Sequence, residues 1–167
     1  MAHWVELDGQ AIEEPKMENE LPFMDMVTRL LVAAVLGAVI GVERELRKRP
    51  AGLRTHMLVS LAAATFLLVG YEILFATATG DPSAQIDPTR IVEGVITGIG
   101  FLGAGTIIQS GGSVQGITTG AAIWIAGAVG VACGVGNFVL AGLVTAIALA
   151  IVVGLGFFEH GIIHDDD

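Results

Sequence analysis

The chain of 167 residues is 53% hydrophobic and only 15% charged, which is too apolar for an ordinary soluble domain. Its net charge of -9 comes largely from acidic residues near the two ends, so the body of the chain carries little charge. Once a single basic loop is set aside, no basic face is left for nucleic acid. The composition predicts a membrane protein that does not bind nucleic acid.

The predicted fold class is an all-α membrane protein, a five-span transmembrane helix bundle over residues 22–158. An acidic tail, residues 1–21, precedes it and lacks the order of a cleaved signal, so we expect it to be retained. A second tail, residues 159–167, follows the bundle. The apolar segments have lengths that suit helices crossing a bilayer. The predicted spans are residues 23–42, 57–78, 91–108, 117–133 and 138–158.

A basic loop, residues 43–57, separates the first two spans and holds five of the eight Lys and Arg residues. Because such loops stay in the cytoplasm, it predicts an amino terminus outside and a carboxyl terminus inside. Orientation alone accounts for the number of charges but not for their arrangement. We therefore expect the loop also to hold an inner-surface structure or a partner. The candidate residues are Glu43, Arg44, Arg47, Arg49, Arg54 and His56.

Two acid–base pairs at i,i+4 spacing predict that the first helix continues beyond the membrane. The Pro50-Ala51-Gly52 segment is expected to end that helix, and Thr55 to cap the next one. The pairs are Glu43 with Arg47 and Glu45 with Arg49.

Four charged residues are predicted to lie at similar depth near the outer side of the bundle. Two acids and two bases in a low dielectric favour ion pairing, either as a proton-sensitive gate or as a structural link between three helices. Arg29 shares a helix face with Ala33, Gly37 and Gly41, which predicts that it faces protein, although it could instead extend to the outer headgroups. The predicted cluster is Arg29, Glu72, Arg90 and Glu93.

Small residues recur at helical spacing along several spans and predict close helix packing. The third span carries small residues on two opposite sides, which predicts that it is the central helix. The stripe on the fifth span is a candidate dimer interface. The packing glycines are Gly37, Gly41, Gly94, Gly98, Gly105, Gly142 and Gly154.

No enzyme motif is found, and we expect no catalytic residue, no cofactor and no metal ligand. His160 and His164 could share a helix face and bind a transition metal, but a frayed tail explains them equally well. The glycine-rich segment 111–116 lacks a Walker lysine and is typical of a flexible hairpin. Glu93 is the only carboxylate well inside a span, so one copy offers a poor magnesium site.

Four blocks of sequence, in order, are similar to the MgtC/SapB family of bacterial membrane proteins. The first is E-R-E-L-R-K-R-P-A-G-L-R-T-H-M-L-V-S-L-A-A-A at residues 43–64, and the second is D-P-T-R-I at residues 87–91. The others are G-I-G-F-L-G-A-G-T-I at residues 98–107 and G-G-S-V-Q-G-I-T-T-G-A-A-I-W at residues 111–124.

The resemblance implies a multi-pass bacterial inner-membrane protein tied to magnesium limitation and, in pathogens, to survival in host cells. It also implies a regulatory role with ATP synthase as a partner. Many members carry a soluble carboxyl-terminal domain, so this chain is similar to a short form. Two hypotheses follow: a non-transporting regulator that packs against a membrane protein or itself, with a homodimer favoured, or a small oligomeric transporter or channel for magnesium or another cation. The scarcity of buried carboxylates favours the regulator.

Overall fold

A computed structural model describes residues 21–80, 87–110 and 112–162, with side chains over 21–77, 87–109 and 112–154. About 82% of the described residues are helical, which confirms the predicted all-α bundle. The amino-terminal tail up to residue 20, and His164 of the possible metal pair, lie outside the described residues. The elements are α1 (Phe23–Leu46), α2 (Leu53–Gly80), α3 (Thr89–Ala104), β1 (Ile108–Ser110), β2 (Ser113–Gln115), α4 (Ile117–Val135) and α5 (Phe138–Ile162).

Among the described residues, three helical segments are long and apolar enough to cross a membrane: Phe23–Leu46, Leu53–Thr77 and Ile117–Val135. The helix α5 has 25 residues and is apolar over its described side chains, Phe138–Gly154, whereas α3 has 16 residues. Length and hydropathy therefore fit a membrane helix bundle, and the predicted orientation stays a prediction.

The central helix is α4, which contacts each of the other four helices. Its buried residues are mainly glycine and alanine, so neighbouring backbones approach closely. A Cβ added at Gly134 would lie 2.7 Å from the Leu67 Cβ of α2, and one added at Gly120 would lie 2.9 Å from the Gly103 carbonyl oxygen of α3. These contacts place the centre of the bundle along α4.

The prediction that the third span is central was wrong. The helix α3 buries only Val95, Ile99 and Gly103, and a Cβ added at Gly94 or Gly98 would meet nothing within 4 Å. Small residues allow close packing on a face, but a second helix must be present to use it. Among the described residues, the backbone of α3 comes close only to α4, at Gly103 and Gly120, and its contact with α2 is limited.

The other predicted packing glycines divide into two groups. Gly37 and Gly41 lie against α2, where an added Cβ would come 2.6 Å from the His56 carbonyl oxygen and 2.7 Å from the Leu53 Cα, respectively. Gly105 is the C-cap of α3, and its nearest described neighbours belong to its own chain segment. Gly142 and Gly154 on α5 face open space, so the dimer interface predicted there stays a prediction.

The turn-rich segment between α3 and α4 forms a β-hairpin. Its antiparallel strands pair Ile108 with Gln115 and Gln109 with Val114. Gly116, with φ of 90°, then begins α4, and an added Cβ there would collide with the Thr106 carbonyl oxygen. Only glycine suits both that backbone conformation and that approach.

The two ends of the bundle differ in charge. The name basic end is used for the end of the bundle that is formed by the last turn of α1, the first turns of α2 and α4, and the hairpin. The start of α1, the end of α2, the start of α3 and the end of α4 form the opposite end.

Candidate functional site

Four buried polar side chains lie along the contact of α1, α2 and α4 toward the basic end. Burying polar groups is costly without hydrogen bonds. We call this group of residues the polar junction. Its members are Arg44, His56, Ser60 and Thr119, which are 2%, 0%, 0% and 3% exposed, respectively.

Two glycines on α1 let the junction form, because they have no side chain to keep α2 away. Gly41 brings the α2 backbone close to α1 at Leu53, and Gly37 does the same at His56. Ser60, one turn further along α2, has its Cβ 2.9 Å from the position of a Cβ at Gly37. His56 and Ser60 are therefore enclosed between helices.

The His56 ring has one bonded nitrogen and one without a partner. Nδ1 lies 2.8 Å from the Gly52 carbonyl oxygen, and because a carbonyl can only accept, Nδ1 carries the proton. Nε2 and the Ser60 hydroxyl have no hydrogen-bond partner among the described residues. The junction thus contains a ring nitrogen and a hydroxyl that are both buried and without a partner among the described residues.

Arg44 brings a positive charge to the same place but makes only long contacts. Its Nη2 donates to the Thr119 Oγ1 at 3.4 Å, and its Nη1 is 3.9 Å from a Glu43 carboxylate oxygen. Nε has no partner within the described ranges. Bonds of that length are weak, so the junction keeps donors and acceptors without strong partners.

At the opposite end, Arg29 faces protein, as its position on the small-residue stripe predicted. Its Nη2 lies 2.8 Å from the Asp25 Oδ2, and its Nη1 donates to the Gly134 carbonyl oxygen at 2.8 Å. Its side chain is 16% exposed. The sequence reasoning missed Asp25, although the i,i+4 spacing of the two residues was the signal that could have found it.

The predicted cluster of Arg29 with Glu72, Arg90 and Glu93 does not form among the described residues, where the ion pairs involve Asp25, Glu43 and their arginine partners. The contact between α2 and α3 at this end is made by Ile91 against Gly70. Glu72 and Glu93 each follow a contact residue by two positions, which turns them by about 200° around the helix axis. Both acids and Arg90 are exposed.

Comparison with known proteins gives one clear result. The MgtC family profile matches residues 30–160, which includes the whole polar junction. The chain belongs to the MgtC family. The match begins one residue after Arg29, so the ion pair with Asp25 lies outside it.

Several curated MgtC-family proteins are similar to this chain. Protein MgtC of Salmonella typhimurium is 42% identical over 122 residues, covering 73% of this chain and 48% of that protein. Protein MgtC of Brucella abortus is 41% identical over 130 residues, or 78% and 51% of the two chains. YhiD of Escherichia coli, named as a candidate magnesium transporter, is 39% identical over 116 residues, or 70% and 54%. The chain spans about half the length of these relatives. No solved structure matches.

The basic loop of this MgtC-family chain is partly buried. Arg44 and His56 belong to the polar junction, whereas Arg49 and Arg54 are exposed. Arg47 Nε lies 2.7 Å from the Glu43 Oε1, which is the first of the two ion pairs that the spacing predicted.

The second predicted pair, Glu45 with Arg49, was wrong. The helix α1 ends at Leu46, and Lys48 adopts a φ of 54°, so Arg49 is no longer on the helix. Glu45 Oε2 instead accepts a hydrogen bond from the Leu53 backbone N–H at 2.8 Å. It therefore caps the start of α2, and the expected cap at Thr55 was also wrong because α2 begins two residues earlier.

Proposed function

We propose that this MgtC-family protein is a non-catalytic regulator in the bacterial inner membrane, linked to magnesium homeostasis. It acts by contact with a membrane-protein partner such as ATP synthase. The observation that carries the proposal is that the carboxylates of the described bundle do not converge on a common interior point. The acids at the opposite end face outward, and Glu43 is held by arginine.

Magnesium prefers near-octahedral oxygen ligands and is held in proteins through carboxylates and water. No group of three His, Cys, Asp or Glu side chains that could hold a metal occurs in the part of the chain that the structure describes. Glu43, with a side chain 11% exposed, lies beside the guanidinium groups of Arg44 and Arg47. Those positive charges oppose a divalent cation there.

The basic end suits contact with a partner. The turn between α1 and α2 is fixed by the Glu45 carboxylate on the Leu53 N–H. Lys48 and Arg49 in this turn and Arg54 at the start of α2 are exposed, and we call these three residues the basic turn. A fixed surface with exposed cations favours association with an acidic protein surface. We therefore propose the basic turn as the partner contact.

The alternative is an oligomeric transporter or channel for magnesium or another cation, which the name of YhiD favours. In such an assembly Glu93 and the open face of α3 would line a path shared between copies. The open glycines of α5 would serve a dimer interface.

A flux measurement separates the two functions. Purified protein in liposomes should give no magnesium or proton flux above that of empty liposomes. Robust flux that Glu93→Gln abolishes would establish the transporter and refute the regulator.

A second measurement tests the partner surface. Lys48, Arg49 and Arg54 should be replaced together by Gln, and ATP synthase recovery from crosslinked bacterial membranes compared with wild type. We expect recovery to fall, with thermal stability preserved because these side chains are exposed. Equal recovery with the variant and wild type would remove the basic turn as the contact.

A further inference from the structure

A long groove runs between α2 and α3 on the side of the bundle. It has a volume of about 570 Å³ and is bordered by residues 59–73 of α2 and 90–102 of α3. These two helices share the least extensive of the main helix contacts. Gly94 and Gly98 line the groove and leave open space where side chains would stand.

The dimensions of the groove decide what can occupy it. The bordering segments correspond to about 18–21 Å of helix at a rise of 1.5 Å per residue. Spread over that length, the 570 Å³ volume gives a mean cross-section of roughly 28 Å². A helix with side chains is about 10–12 Å wide, or roughly 80–110 Å² in section. A single hydrocarbon chain therefore fits inside the groove, whereas a partner helix could enter it only with side chains.

The length of the groove also suits an acyl chain. One leaflet contributes about half of a hydrocarbon core of roughly 30 Å, and the groove is slightly longer than that depth. It runs along the helices, which is the direction that acyl chains take in a bilayer.

One end of the groove carries a positive charge. Arg90 is the only charged residue among the described residues that line it, and it is exposed in the first turn of α3. A guanidinium matches the geometry of a phosphate, whereas the start of α3 is already occupied by the Asp87 carboxylate, which accepts from the Thr89 N–H and hydroxyl. Glu72 and Glu93, although near in sequence to lining residues, do not line the groove.

We propose that the groove binds one phospholipid. Its phosphate contacts the Arg90 guanidinium, and one acyl chain lies along Gly94 and Gly98. This site is separate from the polar junction and from the basic turn, and it does not depend on the proposed regulatory function.

The test is a titration with dioleoyl-phosphatidylglycerol, followed by native mass spectrometry of the detergent-purified protein. Gly98→Leu fills the groove and should weaken binding by about tenfold or more, and Arg90→Gln should weaken it by about five- to tenfold. Leucine is a better helix former than glycine, and the position is open, so the first variant should fold. Gly100→Leu, at an open glycine of α3 that does not line the groove, should stay within about twofold of wild type.

Four outcomes would overturn the proposal. Wild-type affinity in Gly98→Leu would show that the acyl chain does not lie in the groove. Wild-type affinity in Arg90→Gln would remove the phosphate contact. An equal loss in Gly100→Leu would identify the bound lipid as nonspecific. If Gly98→Leu abolished capture of a partner protein and left lipid affinity unchanged, the occupant of the groove would be a partner helix instead.

Discussion

Gly130→Ala should destabilise the bundle, whereas Gly142→Ala should stabilise it. Both glycines lie inside apolar helices, so the same methyl group is added in the same kind of environment. At Gly130 on α4 the new Cβ would collide with the Ser60 carbonyl oxygen and lie 2.8 Å from the Ala63 Cβ. At Gly142 on α5 it would meet nothing within 4 Å.

The magnitudes follow from two opposing effects. Alanine is favoured over glycine in a helix interior by about 1 kcal/mol. Overpacking costs about 1–3 kcal/mol, and the upper part of that range applies at Gly130 because a backbone oxygen cannot rotate away. The net effects are a loss of about 2 kcal/mol at Gly130 and a gain of up to about 1 kcal/mol at Gly142.

Thermal unfolding in one detergent, followed by circular dichroism, measures the difference. A gap of about 3 kcal/mol should separate the midpoints of the two variants by about 6–12 °C in a chain of this size. If Gly130→Ala melts as high as Gly142→Ala, the close approach of α4 to α2 is refuted, and with it the central position of α4.

Two further variants test the opposite end. Arg29→Gln should lower the free energy of unfolding by about 1–3 kcal/mol, since it removes the charged donor to the Gly134 carbonyl. Asp25→Asn should lower it by less than about 1 kcal/mol in the same unfolding assay, because the Asp25 carboxylate is 38% exposed. Equal losses would contradict the buried role of Arg29. The Thr89 hydroxyl and backbone N–H lower the pKa of Asp87, so Thr89→Val should raise that pKa in an NMR titration. A carboxylate with a lowered pKa stabilises the fold at pH values above its ordinary pKa, and this stabilisation is lost in acid. The loss of unfolding free energy in this variant should therefore shrink as the pH falls. A loss that is the same at every pH would contradict the role of Thr89.

The five helices could be predicted from the sequence because each long apolar run is bounded by prolines, glycines or charges. The helix ends were harder to predict. The helix α2 begins at Leu53 because a carboxylate from α1 caps it. That contact joins two elements, so propensity within the second helix gave no sign of it.

The candidate sites, like the helices, could be predicted only in part. Sequence position gives the depth of a residue along a helix but not the face that a neighbour will cover. The predicted cluster placed Glu72 and Glu93 at one depth, and the Gly70–Ile91 contact turned both outward. In the same way, the small residues on two sides of α3 predicted that it is central, whereas α4 is the helix with neighbours close enough to use such residues.

The pairing of α1 with α2 has a consequence for assembly. These neighbours in sequence share the most extensive helix contact and are joined by only six residues, 47–52. Closing so short a loop costs little entropy, and local contacts form early. We therefore expect α1 and α2 to pair before α4 packs against them. Until α4 covers Arg44, an incompletely assembled chain keeps that charge uncovered at the basic end of the bundle, a feature by which quality control can distinguish it from the finished protein.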